Sequence, residues 1–102
     1  MVSKNIQSMI PKIQQYFIGQ PIKKAWLFGS SSRGEERDDS DIDILVQYDE
    51  DAGISLFTIS RIMVQMKKML GRDVDLVEED RLLPFAAKSA NQDKILIYER
   101  KN

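Results

Sequence analysis

Asp41 and Asp43 stand two residues apart in the run Asp41-Ile42-Asp43-Ile44-Leu45-Val46, and Asp73 and Asp75 repeat that spacing in Arg72-Asp73-Val74-Asp75-Leu76-Val77. In an extended chain, residues two apart project from one face, so each pair sends two carboxylates to one side while Ile42, Ile44, Val74 and Leu76 turn to a core. Crowded carboxylates raise one another's pKa unless something positive sits among them, and a divalent cation is the usual remedy. The sequence has no histidine and no cysteine. Oxygen ligands are therefore what it can offer, and these favour magnesium or manganese over zinc. If the two strands are neighbours, a third carboxylate can join Asp41 and Asp43. Three such acids suit a pair of magnesium ions that activate an attacking oxygen and stabilise a leaving pyrophosphate in an in-line displacement.

Gly29-Ser30, at the end of a run of β-formers, could supply the phosphate-binding half of such a site. Glycine lets a phosphate approach the backbone, and the serine hydroxyl with neighbouring amides can hold its oxygens. Arg33 could add a charge-assisted contact to a triphosphate. Each element also has a plainer reading. Gly-Ser after a strand is commonly a turn, an Asp pair beside a strand is commonly a solvated edge, and Arg33 with Glu35, Glu36 and Arg37 reads equally as a mixed-charge surface loop. Asp39, Asp41, Asp43 and Glu50 also copy four positions of a calcium-binding EF-hand loop. The required glycine is Ile44 there, and Leu45-Val46 reads as strand, which argues against it.

Bulk properties narrow the field further. A chain of 102 residues has room for one core, and one domain spanning 1–102 is expected, without linker, repeat or low-complexity tract. Fifteen basic and sixteen acidic side chains nearly cancel, so no direct nucleic-acid binding is expected. Without cysteine and histidine there are no disulfide staples, no Cys-ligated zinc and no Ser-His-Asp triad. No signal-peptide core or spanning segment is legible, so a cytoplasmic protein without membrane contact is the default expectation.

The elements that must position these residues follow from periodicity. Ile6, Met9, Ile10, Ile13, Phe17 and Ile18 predict an amphipathic helix with Ser3 as N-cap, and Pro11 within it should kink it or open a second helix. Ile22 to Phe28 predicts a strand running into the turn at Gly29, and Asp41 to Tyr48 a second strand. Ile54, Phe57, Ile59, Ile62, Met63, Met66, Met69 and Leu70 predict a helix stopped by Gly71, with the Met63, Met66 and Met69 stripe in the core. A strand over Arg72 to Val77, a short helix from Pro84 to about Ala90 and a strand over Lys94 to Tyr98 complete the chain. Strands alternating with helices point to an α/β arrangement, one sheet with helices packed on it. Some of the apolar surface, with Trp26 or the first helix near Pro11, could serve a homo-oligomer or a partner.

Phe28-Gly29-Ser30, then ten residues, then Asp41-Ile42-Asp43-Ile44-Leu45-Val46, and later Val74-Asp75-Leu76-Val77, resembles the DNA polymerase β-like nucleotidyltransferase superfamily. Arg33-Gly34-Glu35 and Ser40 make the chain similar to its smallest members, the minimal nucleotidyltransferases paired with HEPN-domain toxins as antitoxins. Ser32 stands where alanine is common. The resemblance implies the nucleotidyltransferase fold (α+β, a mixed sheet with helices packed on it), magnesium held at Asp41, Asp43 and Asp75, and nucleotide phosphates at Gly29 and Ser30. Asp75 matches the family's Val-Asp-Leu position, in preference to Asp73, and by that match would be the general base toward the incoming hydroxyl. Larger members carry an extra helical domain that grips the acceptor, for which this chain leaves no residues. The resemblance therefore implies AMP transfer from ATP to a tyrosine of a HEPN partner. Two alternatives are an antitoxin that neutralises its partner by binding alone and a transferase acting on a small molecule.

Overall fold

A computed structural model describes residues 2–35, 37, 40–82 and 84–101, without the side chains of 86, 87, 89 and 90. The first helix, α1 (Lys4–Ile18), starts where Ser3 caps it, the Ser3 hydroxyl accepting the Ile6 N–H at 3.2 Å. Pro11 lies inside this one helix and opens no second one. Strand β1 (Ile22–Leu27) runs into the short helix α2 (Gly29–Arg33). Strand β2 (Ile42–Tyr48) is followed by a 3₁₀ turn at Glu50–Ala52, so the chain at Asp41 to Glu50 is strand and turn, not a calcium loop; Asp39 lies outside the described residues, as does Glu36.

The central helix, α3 (Leu56–Leu70), opens with a reciprocal capping box between Ser55 and Thr58 and closes at Gly71, whose φ of 73° is the left-handed conformation glycine tolerates. Strand β3 (Val74–Glu78) starts two residues later than the sequence pattern implies, leaving Arg72 and Asp73 ahead of the ladder. A 3₁₀ turn at Glu79–Arg81, helix α4 (Pro84–Asp93) and strand β4 (Ile95–Glu99) follow.

The four strands form one mixed sheet in the order β3-β2-β1-β4, with β2 and β3 parallel and the other pairings antiparallel. Parallel neighbours need a crossover, and α3 provides it. One face of the sheet is dry. Ile6, Ile13 and Phe17 of α1 and Ile62 and Met66 of α3 form one cluster with Ala25, Leu27, Ile42, Ile44, Val46, Val74 and Ile97 of the strands. Phe17 also meets the Tyr98 ring edge-on at 5.6 Å. Of the expected methionine stripe only Met66 is fully buried; Met63 and Met69 are half-buried. Phe57 leaves the core, 88% exposed. The stripe that α3 turns to the sheet runs Ile59, Ile62, Met66, Leu70, with Met63 and Met69 on its flank, and at about 100° per residue Phe57 points about 200° away from Ile59. Among the described residues no helix is long and apolar enough to cross a membrane.

Candidate nucleotidyl-transfer site

The side chains on the other face of β2 are Asp43, Leu45 and Gln47, because Ile42, Ile44, Val46 and Tyr48 alternate into the core. The parallel register sets Asp43 directly opposite Asp75, with Ile42 opposite Val74 and Ile44 opposite Leu76. The condition set by the sequence, that the two acidic strands be neighbours, is met. Asp41 sits one residue ahead of β2, exposed. Asp73 goes elsewhere: its Oδ1 takes the Lys67 ammonium of α3 at 3.0 Å. Of the second pair, then, Asp75 is the acid facing Asp43.

The turn that carries Gly29 reaches the same spot because β1 runs antiparallel to β2 and ends beside its beginning, Leu27 pairing with Ile44. Gly29 adopts a φ of 59°, and a Cβ placed on it would lie 3.2 Å from Asp43 Oδ2. Both the backbone conformation and the close approach require glycine here. Asp43 is further tied by its main chain, whose C=O accepts the Phe28 N–H at 3.2 Å and whose N–H donates to Ser31 Oγ at 3.0 Å.

Ser31 and Ser32 were missed by sequence reasoning as parts of this site. Ser31 is completely buried and joins α2 to β2; Ser32 is 3% exposed and its hydroxyl donates to the Gly29 carbonyl at 2.9 Å. Serines in a Gly-Ser-Ser-Ser-Arg run read as a solvated turn, and the sequence carries no sign that two of them point inward. Ser30 itself is half-buried, and its carbonyl accepts the Gly34 and Glu35 N–H groups.

Burial pushes the Asp43 carboxyl above the usual carboxylate range, the charges of Asp75 and Asp41 push it further, and Arg33 pulls it back. The three acids therefore feel one another, with Arg33 in range. Arg33 is held by Glu35 at 3.0 Å and by Asp93, at the end of α4, at 2.7 Å. Among the described residues no three acidic side chains converge to ion-binding distance.

A strand-turn that needs glycine, a half-buried acid beside it and a second acid across a parallel ladder are what this end of the sheet brings together. The family model described as "Polymerase beta, Nucleotidyltransferase" matches residues 11–102. The chain belongs to this nucleotidyltransferase family. Among relatives of this family, a Methanocaldococcus jannaschii protein provisionally named a protein adenylyltransferase is 35% identical over 81 residues, which span 79% of this chain and 85% of the relative. A solved structure described provisionally as a minimal nucleotidyltransferase superposes with a TM-score of 0.76 at 28% identity, covering 93% of this chain and 95% of the other. The complex of a tri-AMPylated Shewanella oneidensis HEPN toxin with its MNT antitoxin contains a chain of the same fold, with a TM-score of 0.62 at 21% identity over 94% of this chain and 71% of that one. The nucleotidyltransferase fold that the resemblance implied is thus the one observed.

Proposed function

We propose that this chain transfers AMP from ATP to a tyrosine hydroxyl of a HEPN-family partner protein and by doing so acts as an antitoxin. The observation that carries this reading is the pairing of Asp43 with Asp75 across the parallel ladder, beside a turn that only glycine can make. The naming of its relative as a protein adenylyltransferase supports a protein acceptor. The AMPylated toxin in the complex that shares this fold supports the HEPN class.

The donor set fits magnesium. Asp41, Asp43 and Asp75 offer carboxylate oxygens, with no imidazole or thiolate to attract a softer metal, and a divalent cation relieves the repulsion that raises Asp43. Two bound magnesium ions would supply charge neutralisation at the transferring phosphorus and at the departing pyrophosphate. The chain's own groups do the rest. Phe28 caps α2 without a side-chain acceptor, which leaves the first amides of α2 and the Ser30 hydroxyl to bind phosphate oxygens. Arg33, 41% exposed at its side chain, exchanges Glu35 and Asp93 for triphosphate oxygens. Asp75, exposed at the ladder edge, takes the proton of the incoming hydroxyl. The acceptor oxygen then bonds to the α-phosphorus as the bond from that phosphorus to the bridging oxygen of pyrophosphate breaks, and the proton stays on Asp75.

The test uses ATP labelled at the α-phosphate, magnesium, and a HEPN-family protein offered as the acceptor. Label should appear on a partner tyrosine with the wild-type chain and be lost with Asp41→Ala/Asp43→Ala. If no label transfers and the double variant neutralises the partner as well as wild type, the chain acts by binding alone and the catalytic reading is wrong.

A further inference from the structure

Asp41 is the one acid of the three that no ladder holds. Asp43 and Asp75 lie within strands, whereas Asp41 precedes β2 at the end of the segment leading from α2. Its flanks, however, are fixed from the two residues just ahead of β3. On one side the Ile42 N–H donates to the Asp73 carbonyl at 2.9 Å. On the other, Arg72 reaches across: its Nε and Nη2 donate to the Ser40 carbonyl at 3.1 and 2.7 Å, and Nη2 also donates to the Arg37 carbonyl at 2.8 Å. The same two residues also bond to each other, the Ser40 N–H donating to Arg37 C=O at 3.0 Å and the Arg37 N–H to Ser40 Oγ at 2.9 Å.

Arg72 is only 8% exposed, which is unusual for an arginine. A buried guanidinium is costly unless well-placed acceptors receive its donors, and a planar fork aimed at these two carbonyls is such an arrangement. We propose that Arg72 is a positioning residue of the transfer site, fixing Asp41 by holding the Arg37 and Ser40 carbonyls. The inference rests on the catalytic reading above for what Asp41 does, but not for where it is held. Because Arg72 and Asp73 lead directly into the strand of Asp75, one short segment places acids on both sides of the ladder.

A lysine has the charge but not the fork, and a methionine has similar bulk with neither. Arg72→Met, Arg72→Lys and Asp41→Ala are compared with wild type by three measurements. Amide hydrogen exchange reads the loop directly: in Arg72→Met the Ser40 and Ile42 amides should exchange at least about tenfold faster while Ile44 and Val46 keep their protection. Manganese binding in the presence of a non-hydrolysable ATP analogue, followed by the electron spin resonance of free Mn²⁺, should weaken about 10- to 100-fold, the range seen when an outer partner of a metal ligand is lost. That loss should not add to the loss from Asp41→Ala, because both remove the same ligand. In AMP transfer kcat should fall over a similar range with KM for ATP changed less than about threefold, and Arg72→Lys should recover part of the loss.

Unchanged exchange at Ser40 and Ile42 in a folded Arg72→Met protein overturns the proposal, as does a manganese loss that adds in full to that of Asp41→Ala. A wild-type chain that binds no manganese with nucleotide would instead overturn the catalytic reading, and the exchange measurement would still decide what Arg72 holds.

Discussion

Asp43 is held in a position that works against folding. Burial and the charges of Asp75 and Asp41 raise its carboxyl above the usual range, so ionising it costs stability in the native state. In the absence of added divalent cation, Asp43→Asn should raise Tm by a few degrees while transfer falls at least about 100-fold, a trade of activity for stability checked by thermal melts beside the labelled-ATP assay. Asp73→Asn, which breaks only an exposed pair with Lys67, should leave transfer within about twofold of wild type. Gly29→Ala meets both a left-handed φ of 59° and an Asp43 oxygen 3.2 Å away. It should cost about 1–2 kcal/mol in urea unfolding and most of the activity. At this scale the sequence was legible where spacing carried the information, in the two-residue alternation that pairs Asp41 with Asp43, and where the family resemblance did, in the Val-Asp-Leu position that singles out Asp75. Ser31 and Arg72 were not, because their partners lie 12 and 32 or more residues away and nothing local marks a serine or an arginine as turned inward.

The elements themselves carry one avoidable cost and one acid-sensitive lock. Pro11 is exposed on α1 and lies in its interior, where it brings no N–H to the helix ladder. Pro11→Ala should therefore stabilise the fold by about 1 kcal/mol or more, read by urea titration. The end of β2 is fastened to the segment after β4 by Asp49, which accepts from Arg100 at 2.8 Å and from the Asp51 N–H at 3.0 Å. The hydrogen bond from Arg100, then that from Asp51, holds the Asp49 carboxyl below its usual 3.8. A carboxyl that binds its proton more weakly when folded favours folding at pH above the free value, and this advantage drains away as pH falls through the folded one. Asp49→Asn should accordingly melt below wild type near neutral pH, with the gap closing as pH drops below 3.8. Helix and strand positions were legible from caps and periodicity because those are local. Strand order was open in the sequence, which could state only what would follow if the two acidic strands were neighbours. Phe57 shows the limit of periodicity, since its apolar character fitted the helix while its angle put it in solvent, 88% exposed.

Across the whole molecule, the main apolar layer lies between the sheet and the pair α1 and α3, while Leu45 is fully buried on the opposite face. Ile44→Ala, in the middle of that layer and fully buried, should cost about 2–4 kcal/mol of a total that for such domains is about 5–15. Phe57→Ser should stay within about 0.5 kcal/mol, both read by urea unfolding. The reversal of β1 against β2 and β3 has a further effect, felt during synthesis. It brings the end of one strand and the beginnings of two others to the same end of the sheet, so the proposed reacting groups come from three separate stretches of chain. At about 5–20 residues per second on the ribosome, Asp43 precedes Asp75 by roughly 2 to 6 seconds, and β4 emerges later still. By the proposed chemistry, a nascent copy that has only the Gly29 turn and the first acid pair lacks the base that would take the acceptor's proton. On that reading the paired sheet, and no earlier stage of synthesis, is chemically armed, which spares the crowded hydroxyls around a translating ribosome from a half-made transferase.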